Sequence, residues 1–200
     1  MALRLNDEFV PDSGAGDEIQ VLQRLLQKGK PDAQHAALTK LVSLGAESAL
    51  LECLASDNPL TVQLATGGLW DCWLNERGPA ARREMDRGIK KMNDGKLEDA
   101  IRVFEKLIDK HPDWAEAHNK YATVLFLLGN ARLSLKACET VVRLKPDHFG
   151  AWNGMALCAA QLERWKTALV AARKALSIQP GAAGNLDLMQ LAESKLRESE

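Results

Sequence analysis

Three prolines, Pro112, Pro146 and Pro180, stand 34 residues apart, and the segments they close read alike. A fixed period of that length admits few folds. Each unit is one supersecondary element that cannot bury its apolar face alone, so it must stack on copies of itself. The units run 81–114, 115–148 and 149–182. Small residues recur at one place in each, Gly88, Ala122 and Ala156, where a first helix can approach a second closely. Ala100 and Ala168 serve the same purpose from the second helix. Gly95 and Gly129 fall in register between the two helices and suit the left-handed conformation that ends a helix; Glu163 takes that place in the third unit. Each proline removes a backbone donor and stops the second helix, and Asp113 and Asp147 are placed to cap the helix that follows.

The pattern W-x2-L-G-x2-Y…A-x3-F…P can be laid over each unit. The first unit offers Gly88, Ala100, Phe104 and Pro112, with Glu84 and Arg87 in place of the first apolar pair. The second offers Tyr121, Ala122, Ser134, Cys138 and Pro146, with His118 at the Trp place. The third offers Trp152, Met155, Ala156, Ala168, Ala172 and Pro180. On these residues the chain resembles the tetratricopeptide repeat (TPR) family, which implies an all-α, right-handed α–α solenoid. Gly184–Leu196 reads as a seventh, capping helix, with Leu186, Met189, Leu191 and Leu196 inward.

Residues 1–80 are helical but off the period. Helices are expected near 17–28, 32–44, 46–56 and 59–76, with Pro31 and Pro59 at helix starts. Leu25, Ala36, Ala37, Leu41 and Val42 make one apolar stripe; Leu50, Leu51, Leu54, Val62, Leu64 and Leu69 make another. The stretch from Gly45 to Ser56, followed by Val62-Gln63-x-Ala65, resembles armadillo or HEAT repeats. Gly67-Gly68 implies a bend or a tight contact in the fourth helix. Trp70 and Trp73, one turn apart, either seal the joint between the two halves or anchor a partner. The expected organisation is a flexible lead-in 1–16, an armadillo/HEAT-like segment 17–77, three TPR units 78–182 and a capping helix 183–200.

The TPR resemblance implies a concave wall made by the first helix of each unit, and a partner peptide or helix lying along it. The matching residues are Arg82, Met85, Ile89, Met92 and Asn93; Glu116, Asn119, Thr123, Phe126 and Leu127; and Gly150, Asn153, Leu157, Ala160 and Gln161. This row is mostly apolar. Asn119 and Asn153 recur one period apart, and a side-chain amide can both donate to and accept from a peptide backbone. The alternative is that the chain's own helices cover the wall. Members that dock chaperone tails use a clamp of Lys, Asn and Arg. The places here hold Met85, Ile89, Lys120, Gly150 and Gly154, so docking of acidic carboxylate tails is expected to be disfavoured.

The sequence offers no catalytic or cofactor motif: no G-x-S-x-G, no H-E-x-x-H and no glycine-rich phosphate loop. No catalytic, cofactor-binding or metal-binding residue is assigned. His111 and His148 fall near helix ends, and Asp7-Glu8 and Asp17-Glu18 suit a lead-in or first helical turn. Lys plus Arg number 26 and Asp plus Glu 27, a balance unlike that of a nucleic-acid binder. Residues 1–80 carry 11 acidic and 6 basic side chains, and residues 81–200 carry 16 and 20. The basic surplus of the second half keeps an RNA-binding helical repeat as one alternative; a self-associating scaffold is another. Apolar runs are too short for a membrane span. Cys53, Cys72, Cys138 and Cys158 lack C-x2-C spacing, and Cys138 and Cys158 are expected to pack as small hydrophobes. That usage fits a reducing intracellular compartment, the cytoplasm or an organelle interior. The segments from Trp114 and from His148 resemble a TPR subtype of plastids and bacteria, which admits the plastid stroma. The expected role is a non-enzymatic adaptor or complex-assembly factor that holds an apolar partner segment.

Overall fold

The computed structural model describes residues 15–198 of the 200-residue chain, and among them only helices and connecting turns occur. Most of the expected lead-in lies outside these residues, Asp7 and Glu8 included; Ala15 and Gly16 already belong to the first helix. The chain divides into two compact units between Leu69 and Trp70, inside one helix, which puts both tryptophans with the repeats.

The first unit holds α1 (Ala15–Lys28), α2 (Pro31–Ser43), α3 (Glu47–Cys53) and the larger part of α4 (Pro59–Asn75). Leu26, Leu41 and Leu50 are wholly buried and form its centre. The apolar stripe is shifted from the expected one. Leu26 is buried where Leu25 was expected, and Gln34, Ala37 and Leu41 line α2 while Ala36 is exposed. The Gln34 amide explains its place inside. It donates to the Leu26 carbonyl at 2.8 Å, one of the last carbonyls of α1, which has no partner within the helix. Gly68 is a tight contact, not a bend. A Cβ there would lie 2.6 Å from Leu38 Cδ1 and 3.2 Å from Leu50 Cδ1.

The second unit stacks three hairpins: α5 (Gly78–Asn93) with α6 (Leu97–Lys110), α7 (Ala115–Leu127) with α8 (Ala131–Leu144), and α9 (Phe149–Gln161) with α10 (Trp165–Ile178), closed by α11 (Ala183–Arg197). The small and large places of each unit compensate. Gly88 faces Phe104, Ala122 goes with Cys138, and Ala156 with Ala172, so the glycine meets the one large ring and the alanines meet small side chains. A Cβ at Gly88 would meet Phe104 Cε1 at 2.5 Å. The place-four side chains also repeat a bond: His118 Nε2 lies 2.9 Å from the Pro112 carbonyl, and Trp152 Nε1 donates to the Pro146 carbonyl at 2.7 Å.

Two expectations are corrected. The helix-capping places are one residue later than read: Trp114 and His148 precede α7 and α9, and Asp113 instead pairs with Arg77 at 2.8 Å. On α11, Leu186 and Leu191 are exposed; Asn185, Leu188, Met189 and Ala192 form the inward stripe, with the i, i+3, i+4, i+7 spacing of one helical face.

The hairpin turns are built alike. Gly95 (φ 74°), Gly129 (φ 77°) and Glu163 (φ 55°) all adopt the left-handed conformation. In each, this residue and the next donate back to the helix just ended, as with Gly95 to Met92 and Lys96 to Lys91. Glu163 carries a Cβ where its two counterparts do not, which costs about 1 kcal/mol. Replacing Glu163 with glycine is therefore expected to raise stability by up to about 1 kcal/mol, read as a higher urea midpoint at unchanged slope.

Candidate concave-wall site

The wall is ordered by one buried carboxylate. Glu116, in the first turn of α7, is fully buried. Its Oε2 accepts from His148 Nε2 at 2.9 Å and from Asn119 Nδ2 at 3.1 Å. Lys120 Nζ stands 2.8 Å from Oε1, as an ion pair off the hydrogen-bond direction. Burial alone would raise the Glu116 carboxyl. The His148 hydrogen bond and the Lys120 charge outweigh it and hold the group below the ordinary range for glutamate.

His148 is also wholly buried and caps α9, its Nδ1 accepting the Ala151 N–H at 3.1 Å. These two partners assign the tautomer: Nδ1 is the acceptor, so the proton sits on Nε2 and points at Glu116. One carboxylate and one imidazole thus link the second hairpin to the third.

Trp70 and Trp73, on the last turns of α4, lie over this pair. Trp73 stacks on the His148 ring with centroids 4.2 Å apart, and Trp70 meets Trp73, His148 and Phe149 edge-on. Lys120 Nζ sits 4.8 Å from the centre of the Trp70 ring. The Trp73 carbonyl accepts from Trp114 Nε1 at 2.8 Å, so the first residue before α7 is held by the end of α4. Gly150 is needed where Trp70 lies, since a Cβ there would be 2.5 Å from Trp70 Cη2. The part of the wall at Lys120 and Gly150 is therefore occupied by the chain's own side chains.

Beyond it a pocket of about 170 Å³ remains, lined among others by Asn119, Thr123, Phe126, Asn153 and Leu157. The candidate residues divide accordingly. These five come together there. Leu127, Asn93 and Gln161 are exposed outside it, and Ile89 and Met92 are half-buried against the first hairpin. Met85 is fully buried in the core of that hairpin, so it is corrected from wall to core. Asn119 is committed to Glu116, whereas the Asn153 amide is free among the described residues. Sequence reasoning set Glu116 on the wall but did not foresee it as a buried anchor. A carboxylate at a helix start reads as a solvated charge, and only the third dimension brings His148, 32 residues on, against it. No three His, Cys, Asp or Glu gather closely enough to hold a metal ion among the described residues.

Residues 93–175 match the family described as anaphase-promoting complex, cyclosome, subunit 3. A TPR repeat-containing protein of Rhizobium etli is 32% identical over 97 residues, which is 48% of this chain and 48% of that protein. The helical hairpins of the second unit are thus similar to tetratricopeptide repeats. The chain spans about half the length of that curated relative. Two solved structures show the same fold. The first TPR domain of Spaghetti (RPAP3), bound to the HSP90 peptide SRMEEVD, is 19% identical at a TM-score of 0.57, over 58% of this chain and 93% of that one. The MamA protein is 16% identical at a TM-score of 0.55, over 90% of this chain and 83% of that one. The expectation that carboxylate tails are disfavoured gains no support here, because a neighbour of this fold is solved with a peptide ending in EEVD. In this chain the basic residue at a clamp place, Lys120, is already paired with Glu116. Among the described residues no helix is long and apolar enough to cross a membrane.

Gly150→Ala is expected to destabilise the second unit by about 1–3 kcal/mol through overpacking against Trp70. The change should appear as a lowered urea midpoint, and pairing it with Trp70→Ala should give a loss smaller than the sum of the two.

Proposed function

We propose that the TPR unit is an adaptor or complex-assembly module that holds a short apolar segment of a partner protein in the pocket at Thr123, Phe126, Asn153 and Leu157. The carrying observation is that pocket, together with its free amide. Leu157, on the pocket lining, is 39% exposed and leaves apolar surface open to a partner. Asn153 can hold a peptide backbone in register while Phe126 and Leu157 contact its side chains. Asn119, Ile89, Met92, Asn93 and Gln161 shape or border the surface, and Met85 supports it from within. The four buried thiols are compatible with a reducing compartment such as the cytoplasm or an organelle interior.

An RNA-binding reading is disfavoured on charge. The second half carries only 20 basic against 16 acidic side chains, and several of its cations are already neutralised locally, including Arg82 with Asp86, Lys91 with Asp99, Lys120 with Glu116 and Arg173 with Glu193. A displayed random-peptide library panned on the chain tests the proposal. Apolar peptides should be enriched, and Leu157→Asp with Asn153→Ala should weaken them at least tenfold, about 1.4 kcal/mol. Equal binding by the folded double variant contradicts the proposal. So does enrichment only of peptides ending in acidic residues, or binding of single-stranded RNA alone at low salt.

A further inference from the structure

We propose that Cys138 and Cys158 form a redox-active dithiol at the floor of the pocket, closed to a disulfide by a peroxide. The proposal does not depend on what the pocket binds. The two cysteines come from different helices, α8 and α9, lie in one buried cluster, and line the same pocket with Ser134 and Gly154. Cys158 Sγ donates to Ser134 Oγ at 3.2 Å, and Ser134 Oγ donates onward to the Ala122 carbonyl at 2.8 Å. Gly154 lies close against the other sulfur: a Cβ there would stand 3.0 Å from Cys138 Sγ. A side chain at that place would press on the sulfur and fill its approach from the pocket.

The two thiols also shift each other's titration in opposite directions, and this divides their roles. Donation from Cys138 draws the Cys158 thiol down to about 7 against the effect of burial. The same bond, with burial, pushes the Cys138 thiol far above its ordinary range. Cys158 is thus the attacking sulfur and Cys138 the resolving one.

The chemistry balances with one peroxide. Cys158 loses its proton and its sulfur attacks a peroxide oxygen. The O–O bond breaks, and the other oxygen takes up that proton and leaves as water, giving a sulfenic acid. Cys138 sulfur then attacks the Cys158 sulfur, the S–O bond breaks, and the hydroxyl leaves as water with the Cys138 proton. Two thiols are oxidised by two electrons and one peroxide is reduced to two waters. The S–S bond of about 2.0 Å draws α8 and α9 together across the pocket floor.

The full chain, treated with hydrogen peroxide in native buffer and alkylated, should yield a Cys138–Cys158 linked peptide on non-reducing mass mapping. The link should disappear with dithiothreitol. In Cys138→Ser the attacking sulfur has no partner, so Cys158 should be trapped as a sulfenic acid by dimedone. Three results overturn the proposal: both thiols still free to alkylation after peroxide, separate oxidation of each without a linked peptide, or a link that forms only in denaturant. None of them bears on peptide capture, which is read separately.

Discussion

A fully buried carboxylate sets the geometry of the second unit. Taking Glu116 out of water costs several kcal/mol, and only its donors offset that cost. His148, Asn119 and Lys120 are therefore held in one arrangement, since losing a donor leaves buried charge uncompensated. The consequence is positional. His148 caps α9 with one ring nitrogen and reaches α7 with the other, so the third hairpin is placed against the second by a directional bond. Apolar packing alone would allow the hairpins to slide; a bond of 2.9 Å between two buried groups does not.

The tryptophans extend that constraint. Trp73 lies on the imidazole and Trp70 fills the space left by Gly150, which removes that part of the wall from any ligand. What stays open is the stretch from Thr123 to Leu157. The pocket floor there is made of small groups, Ser134, Gly154 and two cysteines, where larger side chains would close it. The same small groups leave the sulfur atoms close to the opening. A binding surface and a thiol pair thus share one cause, the small residues at the crossing of α8 and α9.

The repeat was legible because it is written several times. Three prolines, two turn glycines and three small crossing residues agree on one period, and the hairpins follow them. Glu163 shows the strength of that pattern, for it takes the left-handed turn without being glycine. Residues whose role depends on a contact between units of the pattern were not legible. Glu116 and His148 look like surface polar residues until stacking buries both. Met85 reads as wall by its place in the repeat, yet it is sealed inside the first hairpin. In α11 the exposed Leu186 and Leu191 misled because apolar character was taken for the inward face, while the small Ala192 marks it.

The most direct measurement of this account is a double-mutant cycle on the buried pair. Urea unfolding would be compared for the native chain, Glu116→Gln, His148→Gln and the two together. The account predicts that each single change is strongly destabilising and that the double variant loses at least about 1 kcal/mol less than their sum. Additive losses would mean that the carboxylate and the imidazole act independently, and would contradict the claim that their bond positions the third hairpin on the second.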